Sequence, residues 1–85
     1  MPRTAFLLQT ECRGRVRQRT FHSATFLEAC LERAVEAMAD RNGVDVDDLP
    51  ERIRFRGPTP IYGETRCGDD RVVWSRIAVP EFRAA

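Results

Sequence analysis

The chain has 85 residues, of which 42% are hydrophobic and 32% are charged, and its formal net charge is +1. These proportions disfavour intrinsic disorder and predict that residues 1–85 form a single small domain. No apolar stretch approaches the roughly 18 residues of a membrane-spanning helix. The short N-terminal apolar run also lacks a signal-peptide cleavage site. We therefore expect a cytoplasmic protein with no membrane partner.

Cysteine and histidine usage predicts neither a metal site nor a cofactor. Cys12, Cys30 and Cys67 are widely spaced without a C-x-x-C pair, and His22 is the only histidine. We expect three reduced, structural thiols. His22 precedes Ser23 in the chain, but neighbours in sequence do not form a nucleophile–base pair in space. The sequence thus predicts a protein that is not an enzyme.

The N-terminal third predicts a β-hairpin. Residues 4–11 and 16–22 contain strand-compatible side chains on either side of a glycine-containing turn. The turn has two possible lengths. It is either the two residues Arg13-Gly14 or the three residues from Cys12 to Gly14, with Gly14 at a bulge.

The longer turn is favoured because of the register that it imposes. It sets Glu11 opposite Arg15, so that opposite charges pair across the strands. It also keeps Phe6 and Leu8 away from the face that carries the arginines.

Residues 24–41 predict a helix. Thr25-Phe26-Leu27-Glu28 matches a capping box, with Ser23 as a competing N-cap, and Asn42-Gly43 predicts the end of the helix. Apolar residues recur at spacings of three and four, so one face should be buried. They are Phe26, Leu27, Cys30, Leu31, Ala34, Val35 and Met38.

The C-terminal half predicts three further strands. A helical turn beginning near Asp45 or Asp48 leads into them. The predicted strands are 52–56, 61–66 and 71–79, separated by segments rich in glycine, proline and aspartate. The order ββαβββ favours an α+β two-layer sandwich in which one helix packs on a mostly antiparallel sheet. The second face of that sheet would remain open.

Arginine placement is the main indication of function, since all fourteen basic residues are arginines. Alternate residues of a strand share a face about 7 Å apart, so two short runs would form two rows. They are Arg13, Arg15, Arg17 and Arg19, and Arg52, Arg54 and Arg56. We expect both rows on the open face. A solvated face without a ligand is the alternative, because two such charges repel by only about 0.6 kcal/mol in water.

Two aromatic residues and an acidic stripe leave alternatives open. Phe21 shares the face of the first arginine row, either as a core residue or as a platform for a stacked base. Trp74, near Arg76, is either a core residue or an interface anchor. The stripe is a solvated helix face or a mimic of nucleic-acid phosphate, and comprises Glu28, Glu32, Glu36 and Asp40.

The sequence favours a small binding module whose arginine-rich sheet face docks onto a polyanion, with nucleic-acid phosphate as the candidate. An acidic protein surface is the other candidate ligand. The alternative function is a protein–protein inhibitor or adaptor of phage or mobile-element type, anti-CRISPR-like in size and charge distribution, acting on a large nucleic-acid-processing complex. A homodimer is compatible with both. The candidate binding residues are Arg13, Arg15, Arg17, Arg19, Arg52, Arg54, Arg56, Phe21, Trp74 and Arg76.

Overall fold

The computed structural model describes residues 3–79, in which one helix packs on one face of a five-stranded antiparallel sheet. This confirms the predicted α+β architecture and the order ββαβββ. The elements are β1 (Arg3–Cys12), β2 (Arg15–Phe21), α1 (Ala24–Asn42), a 3₁₀ turn (Val46–Asp48), β3 (Glu51–Arg56), β4 (Thr59–Cys67) and β5 (Asp70–Val79).

The strand order across the sheet is β2-β1-β5-β4-β3. The N-terminal hairpin β1–β2 and the meander β3–β4–β5 join through the antiparallel pair of β1 and β5. Strands β2 and β3 are consequently the two edges of the sheet. Because neighbouring strands lie about 4.8 Å apart, the two edges are separated by about 19 Å.

The turn between β1 and β2 has two residues, so the prediction of a three-residue turn is wrong. Arg13 and Gly14 have φ angles of 51° and 79°. Positive φ at both central residues is the geometry of a type I′ turn, whose twist matches that of the flanking strands. The resulting register sets Leu8 opposite Arg19. The arginines of β2 therefore share a face with Leu8, on the side that α1 covers.

Helix α1 begins at the predicted residue, Ala24, and ends within one residue of its predicted end, with Ser23 rather than Thr25 as the N-cap. Gly43, with a φ of 65°, follows the last helical residue in the left-handed conformation. At the other end Ser23 is the N-cap, and its carbonyl accepts the first helical hydrogen bond from Leu27 at 3.1 Å. The predicted capping box at 25–28 does not form, because Thr25 already lies inside the helix.

The hairpin between β3 and β4 is tighter than predicted. Its turn is only Gly57-Pro58, so β4 begins at Thr59, two residues before the predicted start at Ile61. Phe55 then pairs with Pro60, and Ile61 forms a bulge without a partner in β3. The bulge leaves Phe55 on the face that α1 covers, because β3 itself continues without a break.

The core lies between α1 and the covered face of the sheet. Leu27 and Met38 of α1 pack with residues of three strands, which are Leu8, Phe21, Val72 and Trp74. The indole of Trp74 lies so close to Gly63 of β4 that a Cβ atom added there would stand 2.1 Å from the indole nitrogen.

One predicted core residue is exposed. Phe26 has 68% of its surface accessible, whereas its neighbour Leu27 is buried. Successive helical residues are rotated by about 100°. With Leu27 and Met38 directed at the sheet, Phe26 is carried off the buried face.

Asp70 ties the end of α1 to the sheet. This carboxylate is 7% exposed and accepts hydrogen bonds from Arg41 Nε at 3.3 Å and Asn42 Nδ2 at 3.1 Å. Burial raises the pKa of Asp70, but the hydrogen bonds from Asn42 and Arg41 outweigh it and hold the pKa below the ordinary value of 3.8. The contact fixes the C-terminal half of α1 relative to the N-terminal hairpin.

Candidate polyanion-binding site

The two arginine rows do not form one surface, so the prediction that both lie on the open face is wrong. The first row belongs to edge strand β2 and shares the covered face with Leu8 and Phe21. The second row belongs to the opposite edge strand, β3, where Arg54 is paired with Tyr62 on the open face. The rows are therefore separated by three strands and lie on opposite faces of the sheet.

Both rows lie on the strands that have an unpaired edge. Charged side chains on an edge strand discourage pairing with the edge of another sheet. Antiparallel pairing of β3 with a second β3 would bring arginines opposite arginines, which is destabilising. The alternating arginines therefore have a structural role without a ligand, and their spacing alone does not identify a binding site.

The centre of the open face is neutralised by carboxylates. Glu64 accepts hydrogen bonds from Tyr62 Oη at 2.7 Å and from Arg66, and lies 3.7 Å from Arg71. The hydrogen bond from Tyr62, followed by that from Arg66, lowers the pKa of Glu64 below 4.5. Arg71 also pairs with Glu11 at 3.7 Å. These arginines are held in ion pairs and do not present free charge.

The same network extends to both edges of the sheet. Gln18 of β2 donates to Gln9 of β1 at 2.8 Å, and Gln9 donates to Glu11 at 3.2 Å. At the other edge the guanidinium of Arg54 lies over the Tyr62 ring, 5.4 Å from its centroid. The open face is therefore a polar surface whose side chains are linked by hydrogen bonds and ion pairs across the five strands, and not a uniformly cationic surface.

The aromatic candidates belong to the core. Phe21 is 6% exposed and Arg19 lies over its ring at 4.9 Å, so it offers no free face for a nucleic-acid base. Of the two alternatives for Phe21, the structure therefore favours the core residue. Trp74 is 9% exposed and packs in the core as well. Arg76 is exposed, donates to Thr4 Oγ1 at 3.4 Å and lines a cavity together with Arg56 of the second row.

A concave cationic surface does exist, but on the covered face. A cleft of about 770 Å³ lies between the β1–β2 hairpin and the C-terminal half of α1. Ala34 and Ala37 line its helix side, and their small side chains leave room between helix and hairpin. We call it the cationic cleft because five arginines line it against the single carboxylate of Glu11. The arginines are Arg13, Arg15, Arg17, Arg41 and Arg71.

The five arginines differ in how their charge is used. Arg41 pairs with Asp70. Arg71 lies at the border of the cleft and pairs with Glu11 and Glu64 of the open face. Within residues 3–79, no carboxylate lies within salt-bridge distance of the other three, which are Arg13, Arg15 and Arg17. These three supply the free positive charge of the cleft.

Sequence reasoning missed Arg41 and Arg71. Arg41 lies in the last turn of α1, four residues after Ala37 and hence on the same side of the helix. Arg71 follows a turn, and its place in the cleft depends on the pairing of β5 with β1, which no local pattern indicates.

Other kinds of site lack support in the described part of the chain. Across residues 3–79, no three His, Cys, Asp or Glu side chains are grouped so as to hold a metal ion. In the same range, no helix is both long and apolar enough to cross a membrane. Comparison with known proteins gave no match to a family model, a curated protein or a solved structure.

Proposed function

We infer that this protein is a non-enzymatic binding module that docks onto a polyanion, with nucleic-acid phosphate as the candidate, through the cationic cleft. The observation that carries the inference is the convergence of three arginines without carboxylate partners on one concave surface. They are the residues Arg13, Arg15 and Arg17. Guanidinium groups are planar bidentate donors that match the oxygen geometry of a phosphate.

Recognition should depend on the phosphate backbone rather than on base sequence. Phe21, the aromatic residue at the end of the arginine row, is buried. Without stacking or base-edge contacts, binding is electrostatic and independent of sequence. With three phosphate contacts, the affinity should fall about 20-fold for a single strand and about 40-fold for a duplex between roughly 50 and 200 mM salt.

The test compares two triple variants that remove the same charge. The cleft variant carries Arg13→Gln, Arg15→Gln and Arg17→Gln; the edge variant carries Arg52→Gln, Arg54→Gln and Arg56→Gln. Fluorescence anisotropy of a labelled oligonucleotide at about 50 mM salt measures the affinity. We expect the cleft variant to lose most of its affinity and the edge variant to retain most of it.

Two results would refute the proposal. One is the absence of binding by the unmodified protein at this low salt concentration. The other is an equal loss of affinity in both variants, because binding would then follow net charge and not the cleft. Circular dichroism of each variant shows whether the fold is retained, and competition by inorganic polyphosphate distinguishes nucleic acid from polyanions in general.

A further inference from the structure

A second groove runs along the other side of α1. Two adjoining cavities of about 510 and 330 Å³ lie between the helix and strands β3 and β4, and they share four lining residues. These are Glu28, Leu31, Glu51 and Trp74. Within residues 3–79, α1 contacts the other four strands but not β3, so the groove follows the part of the sheet that the helix leaves uncovered.

The floor of this groove is apolar. Leu31 and Trp74 line both cavities, and Leu49 lines the larger one. Ile53 of β3, which lines the smaller cavity, is 41% exposed. An exposed apolar residue on an edge strand is a liability unless something covers it. The arginines of β3 do not protect Ile53, because they lie on the opposite face.

The walls of the groove are acidic. We call it the acidic groove because six carboxylates line it, namely Glu28, Glu32, Glu36, Asp45, Asp47 and Glu51. Within the described residues none of them has a cation at salt-bridge distance. Arg76, at one end, is the single basic residue among those lining the two cavities. The charge is therefore opposite to that of the cationic cleft, from which α1 separates it.

We propose that the acidic groove docks a basic segment of a partner protein, in which arginine or lysine side chains flank apolar ones. The apolar side chains would contact the floor at Trp74 and Leu31, and the basic ones would pair with the carboxylates of the walls. Electrostatic complementarity of this kind gives specificity and increases the association rate. Nucleic acid does not fit, because the walls would repel its phosphates.

A second copy of the chain fits less well than a separate partner. This protein has two basic segments. In the β1–β2 hairpin Arg15 and Arg17 lie on one face while the exposed Val16 lies on the other, and in β3 Arg54 and the exposed Ile53 likewise lie on opposite faces. Neither segment can present arginine and an apolar anchor to the groove together. Such a contact would also join unlike surfaces head to tail and would not close into a symmetric dimer.

The probe is a synthetic peptide in which pairs of arginines flank a pair of leucines, with glutamate replacing arginine in a control peptide. Trp74 is the only tryptophan of the chain and lies in the groove, so its fluorescence reports occupancy. We expect saturable binding of the arginine peptide and none of the glutamate peptide. A double variant with Glu28→Arg and Glu51→Arg should weaken binding about tenfold or more.

The control is the single charge reversal Asp40→Arg, at a position on α1 that lies outside the groove lining. It should bind the peptide as the unmodified protein does. The proposal is refuted if the arginine peptide does not bind, or if the Asp40→Arg variant loses as much affinity as the groove variant. Self-association that the groove variant abolishes would also refute it, since the occupant would then be a second copy.

This inference does not depend on the polyanion proposal. The groove variant leaves every residue of the cationic cleft in place, and the cleft variant leaves the acidic groove intact. Oligonucleotide affinity and peptide affinity, measured on both variants, therefore show separately whether each surface binds its ligand.

Discussion

Replacing Gly63 with alanine tests how closely the indole of Trp74 packs on the neighbouring strand. The added Cβ would stand 2.1 Å from the indole nitrogen and 2.8 Å from Cε2, so the ring must move. Trp74 is part of the core, and forcing an extra carbon into a packed core costs about 1–3 kcal/mol. In a domain of this size each kcal/mol lowers Tm by about 4–8 °C, so we expect a decrease of about 5–20 °C.

The assay is thermal unfolding followed by circular dichroism and by tryptophan fluorescence. A second measurement isolates the contact: Trp74→Phe removes the indole nitrogen, so Gly63→Ala should cost less in that background than in the unmodified protein. An unchanged Tm and emission spectrum for Gly63→Ala would refute the described packing. Equal costs in both backgrounds would show that the penalty does not arise from the indole.

Two further predictions concern pH and the helix. In the folded protein the pKa values of Asp70 and Glu64 lie below their ordinary values of 3.8 and 4.5. The two carboxylates therefore stabilise the fold fully above these ordinary values, and the stabilisation is lost as the pH falls through the folded-state pKa values. The urea midpoint should therefore fall below about pH 4.5, and less steeply in Asp70→Asn. For the helix, Leu27→Ala should lower the free energy of unfolding by about 2–5 kcal/mol, whereas Phe26→Ala should change it by less than about 0.5 kcal/mol. Urea titration measures both values. Comparable losses for the two variants would contradict the exposure of Phe26.

The sequence predicts the elements well where the signals are local. Asn42-Gly43 supplies a left-handed end for α1, and apolar residues at helical spacing mark its buried face. Alternation in β5 places Trp74 and Val73 on opposite faces of the sheet. Each of these patterns is contained within a few residues, which is why it survives in the folded chain.

The predicted register of the first hairpin is wrong because it pairs Glu11 with Arg15 but puts Leu8 and Phe21 on opposite faces of the sheet. Pairing Glu11 with Arg15 contributes about 0.2–1 kcal/mol. The register found instead places Leu8 and Phe21 on the face covered by α1, and burying each such side chain contributes about 1.5–3 kcal/mol. Phe21 could have indicated the correct register. If Phe21 is a core residue, the alternating arginines of β2 must lie on the covered face as well.

The candidate site depended on information that no local pattern contains. Whether the two arginine rows are neighbours is decided by the pairing of β1 with β5, which joins the two ends of the chain. The concave surface at Arg15 and Arg17 exists because Asp70 holds the end of α1 near the hairpin. Such long-range contacts follow from the folded structure as a whole.

The most direct test of the binding proposal is to locate the bound anion by NMR. The protein, labelled with nitrogen-15, is titrated with an unlabelled oligonucleotide at low salt, and the arginine Nε–Hε signals are followed. We predict the largest shifts at Arg13, Arg15 and Arg17, with Arg41 next and little change at Arg52, Arg54 and Arg56. Shifts concentrated at the β3 arginines, or spread equally over all of them, would contradict the role of the cationic cleft.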